Sequence, residues 1–193
     1  MITLYTDGSC RGNPGPGGWA LIRLDKKDDK LVMRPPHFDT KEQTTNNEME
    51  LRAVLEAVEM ALLDPNLEYH ECYCDSAYVV NICDSWMITW ALNGWTRNKN
   101  QPIKNLKLIQ ALYEKFTKPF CNFSIYKVKG HNGDIGNELA DAFATGDMIK
   151  VSTIANANKN LYYQKNDDDI PIPLYEYLQH NNLTNKKNYD IIY

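Results

Sequence analysis

The sequence predicts an α/β fold: a five-stranded mixed sheet, opened by an antiparallel three-strand meander and flanked by helices. Three observations carry that expectation. Runs of β-branched and aromatic residues come first, with short turns between them, and only then does a helical period appear. The later strand-like runs alternate with helical ones, the order expected of strands packed under helices. The length of 193 residues holds one domain of about 150 residues with an extension behind it.

Ile2 to Asp7 reads as the first strand, stopped by Gly8 and Ser9. The loop Gly12-Asn13-Pro14-Gly15-Pro16-Gly17-Gly18 is rich in turn formers. Trp19 to Leu24 and Lys30 to Phe38, joined across Asp25 to Asp29, complete the meander. Thr44-Thr45-Asn46-Asn47 supplies N-cap residues for a helix to about Leu63, where Asp64-Pro65 ends it. Glu68 to Cys74 is a fourth strand ending at Asp75, and a short helix starts from Ser76. A stretch with Trp86, Trp90 and Trp95 follows, then a helix from Asn105 to Lys118 with Leu106, Ile109, Leu112 and Phe116 at helical spacing. Phe120 to Val128 is the fifth strand, Lys129 to Asp134 a glycine-containing loop, and Ile135 to about Ile149 the last helix.

This places one domain over residues 1–149 and an Asn-rich extension over 150–193. Leu161-Tyr162-Tyr163 and Ile170-Pro171-Ile172-Pro173-Leu174-Tyr175 are too apolar for a solvated linker, so the extension is expected to dock on the domain. Removing it after Lys150 is expected to lower stability modestly.

Composition bounds the partners. With 43% hydrophobic and 24% charged residues, the chain falls with soluble globular proteins. It has no apolar run of about 18 residues for a membrane span, and its start lacks the features of a secretory leader. Five cysteines, an odd count with no Cys-x-x-Cys pair, argue against a disulfide framework and for an intracellular, reducing compartment. Cys72 and Cys74 read as buried thiols or, less simply, as ligands on one strand face. The net charge of −4 hides an asymmetry: from Trp95 to Gly130 eight basic residues, Lys99 among them, face only Glu114, so this stretch carries +7 and the rest −11. A polyanion partner suits such a stretch, as does a plain solvated surface.

Among candidate chemical groups, Glu50 stands out. Its helical neighbours Ala53, Val54, Ala57, Val58 and Ala61 form an apolar stripe, where a carboxylate needs a cation or strong hydrogen bonds, unless it reaches solvent at the stripe's end. Asp7 and Asp75 each end an apolar strand, which suits either convergence at a sheet edge or ordinary turn duty. Asp141 shares a helix face of small and polar residues with Asn137 and Ala144. Four acids from separate elements resemble a hard-cation site of the kind that Mg²⁺ prefers. His131, flanked by Gly130 and Gly133, is placed either to move a proton or simply to face solvent. The glycine-rich loop lacks the Gly-Lys-Ser/Thr ending of a P-loop.

These residues resemble a known family. Thr6-Asp7-Gly8-Ser9-Cys10-x-Gly12-Asn13-Pro14-Gly15-Pro16-Gly17-Gly18 is similar to the opening of type 1 ribonuclease H. Thr45-Asn46-Asn47-x-Met49-Glu50-Leu51, Asp75-Ser76-x-Tyr78-Val79, Val128-Lys129-Gly130-His131 and Asn137-Glu138-x-x-Asp141 follow in the family's order. The resemblance covers about Met1 to Ile149. It implies cleavage of the RNA strand of RNA–DNA hybrids with 5′-phosphate and 3′-hydroxyl products. It implies two Mg²⁺ ions with substrate, about 3.5–4 Å apart, with Mn²⁺ as a substitute. It assigns the metal to Asp7, Glu50, Asp75 and Asp141 and a product-release role to His131. Cys10, Asn13, Asn46 and Asn47 would meet the RNA strand and Thr45 a DNA phosphate, while Ser76, Trp86, Asn93, Trp95 and Asn137 join the expected substrate set. The protein is expected to be a monomer.

The sequence departs from the pattern at its Trp-rich protrusion. Asn93 stands where an Arg often precedes Gly-Trp, and Ala77 replaces a frequent Gln, which implies weaker hybrid binding. Two rival readings are a non-catalytic hybrid-binding module, expected to lack a metal carboxylate, and a nuclease of the same fold acting on another nucleic acid. The positions of Asn46, Asn47, Cys10 and Asn13 favour hybrids.

Overall fold

A computed structural model describes residues 1–97, 101–130 and 132–184, so Lys99, His131 and the last nine residues lie outside the described residues. Strand β1 (Ile2–Cys10) pairs antiparallel with β2 (Gly15–Lys27), running three residues past the expected end at Asp7. The predicted third strand is two. β3 (Lys30–Met33) pairs with the end of β2, and β4 (His37–Thr44) pairs further back along the same β2 edge. Between them stand Pro35 and Pro36, which lack the N–H a ladder needs and so divide the run.

Helix α1 (Asn46–Leu63) is capped by Thr45, whose Oγ1 accepts from the Glu48 N–H at 3.3 Å. It leads to β5 (His70–Cys74), parallel to β1, then α2 (Ala77–Asn81), a π-helical turn over Ile82–Trp86 and α3 (Met87–Leu92). Helix α4 (Leu106–Phe116) precedes β6 (Phe123–Lys127), which lies parallel to β5. The expected last helix is broken. α5 (Ile135–Ala144) stops at Gly146, whose φ of +67° suits glycine, and the Asp147 N–H returns to the Ala142 carbonyl at 2.8 Å. Asp147 then caps α6 (Met148–Ala157) by accepting from the Lys150 N–H at 3.0 Å.

The expected five strands become eight, one from the division of the third and two because the extension joins the sheet. β7 (Leu161–Tyr163) runs parallel to β3 and takes β8 (Ile172–Pro173) on its far side, followed by α7 (Leu174–His180). The described sheet has eight strands in the order β6-β5-β1-β2-β3-β7-β8, with β4 also on β2. Helix α6 crosses the expected boundary at 149/150.

The core lies in two parts. In one, Met49, Val54 and Val58 of α1 and Ile109 and Leu112 of α4 pack with Leu4, Leu21 and Cys72. In the other, α5 and α6 pack on Ala20, Ile22 and Leu24. The extension supplies eight of the second part's eighteen buried residues: Val151, Ile154, Ala155, Leu161, Tyr163, Leu174, Leu178 and Leu183. That share, nearly half of the second part, is larger than a segment of modest weight would supply. No described helix is long and apolar enough to cross a membrane.

Candidate active site

Asp7 lies on the part of β1 that outruns the parallel pairing with β5, whose last partner is Thr6. Helix α1 reaches this end closely: a Cβ on Gly8 would stand 2.1 Å from the Glu50 nitrogen, so only glycine lets strand and helix meet here. Asp75 follows β5 directly. Asp7, Glu50 and Asp75 each offer an oxygen, and these oxygens lie within 4.8 Å of one another.

The environment of these acids is dry and negative. Asp7 and Glu50 are only 6% and 5% exposed. Burial first, then the charges of Asp75 and Asp141, push the Asp7 carboxyl up to about 8. Burial, together with Asp7 and Asp75, holds Glu50 well above the usual carboxylate range, opposed by the Cys74 thiol and Lys127. The Cys74 Sγ points at Glu50 Oε2 from 3.9 Å. Three crowded carboxylates are unfavourable alone and well matched to a hard divalent cation.

Two more groups brace Asp75. Asn137 Nδ2 donates to Asp75 Oδ2 at 3.5 Å, while the buried Asn137 Oδ1 has no partner among the described residues. A Cβ on Gly130 would stand 2.5 Å from the same Asp75 oxygen. Asp141 adjoins Asp7, but its own Oδ2 is bound by Lys150 Nζ at 2.5 Å.

The expected substrate residues divide into groups. The Asn46 N–H donates to Asn13 Oδ1 at 3.0 Å, and Asn46 Nδ2 lies 3.5 Å from Glu50 Oε1, so this pair sits beside the acids. Cys10 Sγ turns inward to the Thr44 and Gly15 carbonyls. Thr45 and Ser76 cap α1 and α2. Asn47, Trp86 and Asn93 line a cleft of about 660 Å³ together with Arg97 and Lys104. Trp95 is not among its lining residues and packs edge-on against Tyr113, with ring centroids 5.4 Å apart. Cys72 and Cys74 are buried free thiols.

Sequence reasoning passed over Gly8 and Gly130, because a single sequence does not say what stands opposite a glycine. It also missed Lys150. On one unbroken helix, residues nine apart point to opposite faces about 13 Å apart, so the ion pair with Asp141 exists only because the helix breaks. Gly146 followed by Asp147, a stop residue before a cap residue, was the legible signal.

A mixed sheet with Asp7 and Asp75 at neighbouring ends of the parallel strands β1 and β5, and Glu50 of α1 beside them, is the arrangement of a hydrolase of the ribonuclease H type. Comparison with known proteins agrees. The ribonuclease H family model matches residues 1–148. The ribonuclease H of Orientia tsutsugamushi is 39% identical over 82% of this chain and 89% of its own length. That of Cupriavidus metallidurans is 40% identical over 79% and 98%. Among solved structures, LC9-RNase H1, described as a type 1 RNase H with the type 2 active-site motif, superposes with a TM-score of 0.64. It is 30% identical and covers 74% of this chain and 69% of its own. The chain belongs to the type 1 ribonuclease H family, and it is a ribonuclease, a hydrolase.

Proposed function

We propose that this protein hydrolyses the RNA strand of RNA–DNA hybrids in a divalent-metal-dependent reaction, as a monomer in a reducing intracellular compartment. The observation that carries this reading is the meeting of Asp7, Glu50 and Asp75 within 4.8 Å, two of them buried, with no ion pair of their own among the described residues. Such a set fits Mg²⁺, with two ions in the presence of substrate and Mn²⁺ as a substitute. When bound, the metal supplies Lewis-acid polarisation of the phosphate and a water of lowered pKa.

The chain's own residues do the rest. Asp7, Glu50 and Asp75 would hold the cation, and Asp141 would complete the set from α5. Asn137 and the bare face of Gly130 fix the Asp75 carboxylate. Water adds at phosphorus and the bond to O3′ breaks, leaving a 5′-phosphate and a 3′-hydroxyl. His131 assists product release. Asn13 and Asn46, tied to each other beside the acids, are placed for the 2′-hydroxyls that distinguish RNA from DNA. Asn47, Trp86, Arg97 and Lys104 offer the other strand a stacking and phosphate-binding cleft, so part of the positive charge missing at Asn93 returns beside it. A strand-labelled hybrid, duplex RNA and duplex DNA, each with and without Mg²⁺, test the reading. Mg²⁺-dependent loss of the RNA strand of the hybrid alone is expected; equal cutting of duplex DNA would overturn it.

A further inference from the structure

The Lys150 ammonium reaches Asp141 Oδ2 at 2.5 Å. Among the described residues it makes the one ion pair that any of the four acids has. Asp141 is also the one of the four left out of the tight carboxylate group. The contact is built rather than incidental. The break at Gly146 turns the chain back, Asp147 caps the new helix on the Lys150 N–H, and Met148 and Val151 on either side of it are buried in the core. Both side chains are mostly withdrawn from solvent, at 30% and 22% exposure, so the charge on Lys150 is only partly screened.

We propose that Lys150 is a positioning residue of the hydrolytic site. It occupies one oxygen of Asp141 and weakens that carboxylate's hold on a divalent cation, so Asp7, Glu50 and Asp75 load first and Asp141 joins when the lysine gives way. The inference rests on the metal-dependent reading above. Its chemistry is competition between two cations for one carboxylate. A lysine suits the part, because its flexible stem lets the ammonium leave Asp141 for an incoming phosphodiester oxygen.

The test is isothermal titration of Mn²⁺ into the full-length, metal-free protein without nucleic acid, for the parent, Lys150→Met and Lys150→Arg. Lys150→Met keeps the aliphatic stem and removes the charge. It should bind Mn²⁺ about three- to tenfold more tightly, while Lys150→Arg stays within about twofold of the parent. Melting in EDTA provides the second readout. Loss of a structural ion pair leaves Lys150→Met no more stable than the parent, so tighter metal binding at equal or lower melting temperature marks competition. Unchanged or weaker Mn²⁺ binding by Lys150→Met overturns the inference. A parent that binds no Mn²⁺, or binds it equally after Asp75→Asn, overturns the metal reading itself.

Discussion

Asp7→Asn should make the metal-free protein more stable while destroying its activity. The Asp7 carboxyl, ordinarily titrating at 3.8, is pushed up to about 8 by burial and by Asp75 and Asp141. As pH rises from 3.8, the unfolded chain releases this proton and the folded chain does not, so stability falls until pH passes about 8. At pH 7 the gap is about 3 pH units, and at about 1.4 kcal/mol per unit the burden is about 4 kcal/mol. Asn resembles the protonated acid in both states and removes the burden. Relaxation around residue 7 makes that figure a ceiling, and a gain of about 1–3 kcal/mol is expected, worth about 2–4 °C in Tm per kcal/mol. Thermal melts in EDTA at pH 4, 6 and 8 measure it: no gain at pH 4, a growing gain at pH 6 and 8. Saturating Mg²⁺ should narrow the difference, because only the parent gains from binding it. A variant that melts at or below the parent at pH 8 in EDTA, or whose gain is the same at pH 4, refutes the reasoning.

Two further outcomes follow from the packing. Gly130→Ala puts a methyl group 2.5 Å from Asp75 Oδ2. The carboxylate must rotate away, so kcat should fall about 10–100-fold with Tm within about 2 °C; unchanged kcat would place Asp75 elsewhere. Truncation after Lys150 removes eight buried residues of the second core. At about 1.5–3 kcal/mol for each of the seven large side chains among them, the loss of about 10–20 kcal/mol is as large as a typical total stability of about 5–15 kcal/mol, so no cooperative melt should remain. A truncated protein melting near the parent temperature would show that β7 and α7 are dispensable.

The acids of the candidate site were only partly legible in local pattern. Asp7 and Asp75, each ending an apolar strand, read equally as turn residues until the family resemblance joins them, whereas Glu50 stands out as a charge in an apolar stripe. Patterning of that kind survives in a single sequence. The second half of the core did not. Val151, Ile154, Leu161 and Leu174 are spread through an Asn-rich segment, and each run is too short to declare a period. Leu161 reaches the sheet only through the pairing of β7 with β3, and pairing between residues 31 and 161 leaves no local trace. The division of Lys30 to Phe38 at Pro35 and the break of the last helix at Gly146 were both written in the chain, as residues that cannot continue a ladder or a helix without strain. Trp95 stands outside the cleft that Asn47, Trp86 and Asn93 line: at the left-handed turn of Gly94 and Trp95 its ring packs against Tyr113.

Asp75→Asn tests the central claim most directly. The change preserves shape and removes one negative charge from the acid cluster, leaving a side chain that still fits beside Asn137 and Gly130. Single-turnover cleavage of a strand-labelled RNA–DNA hybrid at saturating Mg²⁺, beside a far-ultraviolet melt, compares it with the parent. The account predicts a fall of several orders of magnitude in the cleavage rate with the cooperative melt retained. Cleavage by Asp75→Asn within about tenfold of the parent would contradict it, because a charge so placed could not then be holding the metal.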